Sequence, residues 1–276
     1  MKITSLVWVL GLVFYGFFSF AESPRPLHKV VLVLFENTTY EKSKDAPAFR
    51  AVAQAGAILT NYQGITNPSQ PNYIALMAGD TMGVYGDGNS DLNASSLADL
   101  IEAKGLHWAV YAEAYPGNCF LGKTSGTYAR KHNPLISFVN IQNSASRCER
   151  ITDEKGFARD LSAGRLPEFT HYVPDMNNTG HDTGISGADH FLATTLFPLM
   201  QSEEGKKVTW ILTFDEGHIF NNHILTLVYG DQVKVGAECT DRYNHYSLLR
   251  TIEDGFGLGT LGRNDATAIP FSGIWQ

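Results

Sequence analysis

Five short runs along the chain are apolar with few polar interruptions: KVVLVLF (29–35), HWAVYA (107–112), FTHYV (169–173), VTWILTF (208–214) and ILTLVY (224–229). Continuity of this kind, rather than strict alternation, predicts strands buried on both faces. Between them lie segments with helical spacing of apolar positions: PAFRAVAQAG, SLADLIEAKG, ADHFLATTLFPLM and HYSLLRTIEDGFG. The first two close on glycine, as helices often do. Strand and helix in alternation predict an α/β fold, a mainly parallel central sheet with helices on both faces. No internal repeat or low-complexity linker interrupts the pattern.

The first 21 residues depart from it. MKITSLVWVLGLVFYGFFSFA carries one charge, Lys2, then a long apolar run, then Ser19 and Ala21 in small-x-small spacing. This predicts a secretory signal over 1–21, followed by a single domain over 22–276, secreted or periplasmic. The run is nearly long enough to span a bilayer, so an uncleaved N-terminal anchor stays open. No second span follows, and stable membrane insertion is not expected once the signal is gone. An exported chain meets oxidising conditions, and of Cys119, Cys148 and Cys239 the first two bracket one loop, which makes them the expected disulfide. Formal charge is −7. An acidic domain without a basic run argues against nucleic acid as a partner and against broad electrostatic docking on anionic membranes.

Candidate chemistry starts at NPSQPNY (67–73), where Pro68 and Pro71 stiffen the backbone around Ser69. Pro71 suits the first position of a helix, which would set the Ser69 hydroxyl beside free N–H groups that attract anions. In open α/β sheets, ligands bind beyond the carboxyl ends of strands. There the sequence has Glu36 and Asn37 after the first run, Pro174 and Asp175 after the third with His181 and Asp182 beyond, and Asp215 and Glu216 after the fourth. Carboxylates on one rim repel each other unless a cation intervenes, which points to a divalent metal with oxygen ligands, with Mg, Ca, Mn and Zn all open. A serine at a helix start beside such a metal suits phosphoryl transfer. Lys131 and His132 in YARKHNP and His245 in YNHYSLLR are candidates to hold phosphate oxygens.

ENTTY, NPSQPNY, YARKHNP, the GHD at 180–182, TFDEG at 213–217 and YNHYSLLRTIEDGFGL together resemble the successive motifs of the phosphoesterase family. That family holds bacterial and fungal acid phosphatases and phospholipases C, and the compact secreted bacterial acid phosphatases, the mycobacterial one among them, are most alike. The resemblance implies an alkaline-phosphatase-like fold and a metal-dependent phosphomonoesterase acting through a phosphoserine intermediate. By it Ser69 is the nucleophile, Glu36, Asn37, Asp215 and Glu216 hold the metal, and His181 with Asp182 protonates the leaving alcohol or binds phosphate. Asn72, Lys131, His132 and His245 match positions that contact phosphate, and the substrate is a phosphorylated small molecule or lipid headgroup, phosphoinositides included. Asp175 stands where close relatives often show Asn, which adds a candidate ligand and a second metal. His223 has no assigned role beyond packing in the core or at the rim.

Three other readings compete with this one. A sulfatase is disfavoured, since its nucleophile motif needs an arginine where Tyr73 stands. Phospholipase C or phosphodiesterase activity stays open, because pocket walls decide it. A catalytically silent binding module is disfavoured by the intact Ser69, Glu36, Asn37, Asp215 and Glu216.

Overall fold

The computed structural model describes residues 26–276, so the expected signal segment lies outside the described residues. Nine strands form the main sheet, and a separate small hairpin lies to its side. In chain order the strands are β1 (Val30–Phe35), β2 (Ala57–Gln63), β3 (Trp108–Ala112), β4 (Thr124–Ser125), β5 (Tyr128–Ala129) and β6 (Ile151–Asp153). They continue with β7 (Phe169–Val173), β8 (Thr209–Phe214), β9 (His223–Tyr229), β10 (Ala237–Cys239) and β11 (Tyr243–Asn244). The hairpin is β4–β5, and the main sheet runs β10-β2-β9-β8-β1-β7-β3-β6, with β11 also on β2.

β9 alone runs against its neighbours, pairing antiparallel with β2 and β8. The other pairings are parallel, β1 with β7 and β8, β3 with β6 and β7, β10 and β11 with β2. All five apolar runs are strands of this sheet, and every residue of β1, β7 and β8 is buried, as their continuity requires.

Parallel register fixes the height at which chains leave the sheet. Phe35 lies opposite Phe214, so Glu36 and Asp215 emerge side by side. Beneath them Phe35, Phe49 and Phe214 pack with ring centroids 4.9, 5.4 and 5.7 Å apart. A close-packed aromatic floor of this kind leaves the two carboxylates little freedom to move.

The four anticipated helices are present, two with altered bounds. Pro47–Ala55 and His245–Phe256 follow the apolar spacing, the latter capped by the Asn244 side chain on the Tyr246 and Ser247 amides. Leu97–Ala103 starts with a capping box between Ser96 and Asp99. The fourth begins earlier, at Gly184, and widens into a π turn at Leu192–Leu196 just before Pro198, which has no N–H to continue an α ladder.

The helix after NPS differs from expectation in its start. It runs Ser69–Ala78, with Ser69 itself in the first position and Pro71 third, still inside the turn whose N–H groups need no partner within the helix. All ten of its residues are buried, so it is a core helix with apolar contacts around its circumference.

Cys119 and Cys148 form the expected disulfide, and Cys239 is free and buried. Closing a loop of this length stabilises a fold by about 3.6 kcal/mol in the chain-entropy view, so a Cys119→Ser, Cys148→Ser double variant should unfold at distinctly lower denaturant concentration, with a slope as steep or steeper because the freed unfolded chain exposes more surface. An unchanged midpoint would show that the bridge does not constrain the unfolded chain.

Candidate active site

Ser69 sits where the buried helix meets the rim of β1 and β8, 1% exposed. Its Oγ donates to Glu36 Oε2 at 3.0 Å and lies 3.4 Å from Asn37 Oδ1. Lys131 Nζ approaches the same oxygen at 3.4 Å. Three anticipated groups thus gather on one hydroxyl.

Glu36 is held from behind. Tyr73, one helical turn on from Ser69, donates its hydroxyl to Glu36 Oε1 at 2.7 Å. His132 Nε2 stands 3.0 Å from the same oxygen, out of line for a hydrogen bond. Burial opposes ionisation of Glu36, but His132, Lys131 and Tyr73 outweigh it and hold the carboxyl down to about 2.

Asp215 contrasts with Glu36. Its Oδ1 accepts the Asn37 N–H at 3.1 Å, while Oδ2 is buried with no partner among the described residues. Burial first, then the charges of Glu36 and Glu216, push its carboxyl well above the usual range. Burial also pushes Glu216 up to about 7, against a short hydrogen bond from Asn67 Nδ2 to its Oε2. The three carboxylates therefore meet at a cost that a cation would remove. Among the described residues no three His, Cys, Asp or Glu side chains are spaced to grip one ion. An ion here would have to draw on mixed oxygen donors, and the orphaned Asp215 Oδ2 with Asn37 Oδ1, Glu36 and Ser69 Oγ fits that chemistry.

Asp87 carries a role the sequence did not advertise. Its Oδ2 accepts Lys131 Nζ at 3.1 Å and its Oδ1 accepts the Gln70 N–H at 3.0 Å, a free amide of the helix's first turn. One carboxylate thus fixes both the lysine and the start of the helix that presents Ser69. A lone Asp in a glycine-rich stretch gives no sequence signal; only its distance to Lys131, 44 residues on, does.

Three residues expected to touch phosphate have other partners, one of them His132, buried against Glu36. Asn72 is fully buried, its Oδ1 accepting the Ile65 and Thr66 amides and its Nδ2 donating to the Thr66 and Pro68 carbonyls, so it braces the loop before Ser69. His245 is also fully buried, with Nε2 2.6 Å from the Asp215 carbonyl and Nδ1 3.1 Å from the Tyr62 hydroxyl. It backs the Asp215 main chain, and burial depresses its pKa to about 4. Neither Asn72 nor His245 has a polar atom to spare for a ligand.

The 174–183 loop is stitched to β1 through the Glu36 N–H, which donates to the Thr179 carbonyl. It brings His181 to 6.2 Å from His132, ring to ring, with His181 Nδ1 held by Asp182 Oδ1 at 2.7 Å. Asp175, considered as a further metal ligand, instead caps its own turn, Oδ1 accepting the Asn177 and Asn178 amides. The second metal it suggested loses its basis. His223 stacks on Tyr40 and reaches the Thr60 carbonyl at 2.9 Å, the packing role anticipated for it.

The description of the Phosphoesterase family matches residues 38–259 of the chain. The chain is 34% identical over 253 residues to a probable acid phosphatase of Kluyveromyces lactis, covering 86% of this chain and 60% of that protein. It is 29% identical over 253 residues to a phosphatidylinositol-3-phosphatase of Mycobacterium tuberculosis, covering 89% and 82%. The chain spans about three fifths of the length of its fungal relatives. Among solved structures, a protein of the alkaline phosphatase superfamily from Vibrio parahaemolyticus superposes with a TM-score of 0.57 at 13% identity, over 90% of this chain and 71% of that one. Murine ectonucleotide pyrophosphatase / phosphodiesterase 5 superposes with a TM-score of 0.58 at 13% identity, over 86% and 97%. These likenesses establish the anticipated fold.

Proposed function

Because the chain belongs to the phosphoesterase family, we propose that it is an exported, metal-dependent phosphomonoesterase that forms a phosphoserine on Ser69. The observation that carries this reading is the Ser69 hydroxyl at a helix start, within reach of Glu36, Asn37 and Lys131 at once. The acid phosphatase and phosphatidylinositol-3-phosphatase relatives support monoester chemistry, and the Cys119–Cys148 bridge supports export.

Glu36, Asn37 and Asp215 would hold the cation, with Glu216 beside them. When bound, the cation lowers the serine's pKa and offsets charge that develops on the phosphoryl oxygens. Ser69 Oγ, oriented by its hydrogen bond to Glu36 Oε2, loses its proton to solvent and attacks phosphorus as the bond to the leaving oxygen breaks. Lys131, steadied by Asp87, faces the anionic oxygens. His181, oriented through Nδ1 by Asp182, protonates the departing alcohol, and a water then splits the seryl phosphate and releases inorganic phosphate. Asn72, His245 and His132 act behind this line, on the loop, on the Asp215 main chain and on Glu36.

Comparing p-nitrophenyl phosphate with bis-p-nitrophenyl phosphate tests the class. The expected result is turnover of the monoester with little of the diester; turnover of the diester alone would move the protein to phospholipase C or phosphodiesterase chemistry.

A further inference from the structure

Glu216 is followed at once by Gly217-His218-Ile219-Phe220-Asn221-Asn222. His218 and Asn221 exchange both backbone hydrogen bonds at 2.8 Å, which leaves Ile219 and Phe220 as the two residues of a tight turn. Such positions are ordinarily filled by Gly, Asn, Asp or Ser. Here the pair is large and apolar, and it projects into solvent: Ile219 is 74% exposed and Phe220 98%. The turn's base is pinned to the catalytic rim, since Asn222 accepts the Gly217 N–H, donates to the Thr66 carbonyl and gives its own carbonyl to Gly64 N–H. A second exposed aromatic, Tyr85 at 85%, sits two residues before Asp87, which holds Lys131 and the Ser69 helix.

We propose that the Ile219–Phe220 turn, with Tyr85, is a wedge that seats the catalytic mouth on a lipid bilayer, so that the phosphate cleaved is one carried on a membrane lipid. This deepens the phosphomonoesterase reading and rests on it for the substrate. Exposed aliphatic and aromatic side chains fixed beside a site gain by entering the boundary between headgroups and acyl chains. A protein partner fits less well. Even fully covered, three such side chains bury at most roughly 750 Å², below the ~800 Å² per partner of a stable interface. Charge agrees with a bilayer too: Lys42 Nζ stands 3.4 Å from His218 Nε2 at the base of the wedge and forms no ion pair among the described residues, which leaves it for lipid phosphates. With the chain acidic overall, attachment is apolar and peripheral, and no helix among the described residues is long and apolar enough to cross a membrane.

The test uses Ile219→Ser, Phe220→Ser in the chain without the expected signal segment 1–21, with phosphatidylcholine vesicles doped with phosphatidylinositol 3-phosphate as the probe. Co-sedimentation and phosphate release are read against release from p-nitrophenyl phosphate and from the same headgroup on soluble short chains. The unaltered chain should co-sediment with vesicles, and the variant should lose vesicle binding and vesicle turnover by roughly tenfold or more, as the burial of two such side chains implies, with soluble turnover unchanged. Equal behaviour of the two chains on vesicles overturns the wedge, as does a chain that stays in the supernatant. A drop in sedimenting mass on substitution, without vesicle binding in either chain, assigns the turn to a second copy and overturns it too. Failure to release phosphate from any monoester defeats the functional reading, while co-sedimentation still decides the wedge.

Discussion

Ser69→Ala should lower phosphate release by about 10³-fold or more, because the other hydroxyl on Glu36, that of Tyr73, is buried behind the carboxylate and kept protonated by that burial. The fold should persist: Ser69 is the first residue of its helix, and alanine there loses hydroxyl contacts whose net worth is on the order of 1 kcal/mol each. Circular dichroism and a melting curve near that of the unaltered chain would show the loss to be chemical. Acid quenching with labelled substrate should leave phosphate on Ser69 of the unaltered chain and none on the variant. Substantial activity in Ser69→Ala, or label on another residue, would overturn the phosphoserine route.

Chelation is the second large effect. Stripping divalent ions should abolish turnover, and adding back one suitable cation should restore it. Stability gives an independent readout. A ligand present at a hundredfold over its dissociation constant adds about 2.7 kcal/mol to the folded state, enough to raise the melting temperature measurably. Asp215→Asn should remove that rise. In metal-free buffer the same substitution should be neutral or mildly stabilising, because burial and the neighbouring Glu36 and Glu216 already disfavour an ionised carboxyl at that position. If chelator leaves both activity and melting temperature unchanged, the gathered carboxylates serve another purpose and the metal assignment fails.

The fold was legible where burial is two-sided. β1, β3, β7, β8 and β9 read directly from apolar runs because each lies inside the sheet with both faces covered. β2 did not, since AILTNYQ mixes buried Ala57, Leu59 and Tyr62 with half-exposed Asn61 and Gln63, and a register shift between Leu59 and Tyr62 breaks its alternation. β6 and β10 are three-residue edge strands, whose pairing depends on neighbours far along the chain. In the site, Glu36 and Asp215 were visible because strand ends locate them. Asp87, Asn67 and Tyr73 act only through partners from other elements, a relation that spacing does not encode. Asn72 and His245 were found at the right place with the wrong duty, since a polar residue near a catalytic loop reads alike whether it faces the ligand or supports the wall behind it.

The wholly buried helix Ser69–Ala78 bears on how this scaffold diversifies. A residue walled in on every side cannot change size or polarity without disturbing its neighbours, so Ser69, the proposed nucleophile, comes with a frame that resists drift. On the proposed function, variation in what the site accepts would be channelled to the segments around it, the 80–92 stretch that carries Asp87, the 174–183 loop and the turn at Ile219–Phe220. Relatives that share the same reactive hydroxyl can part company in diet through those loops alone.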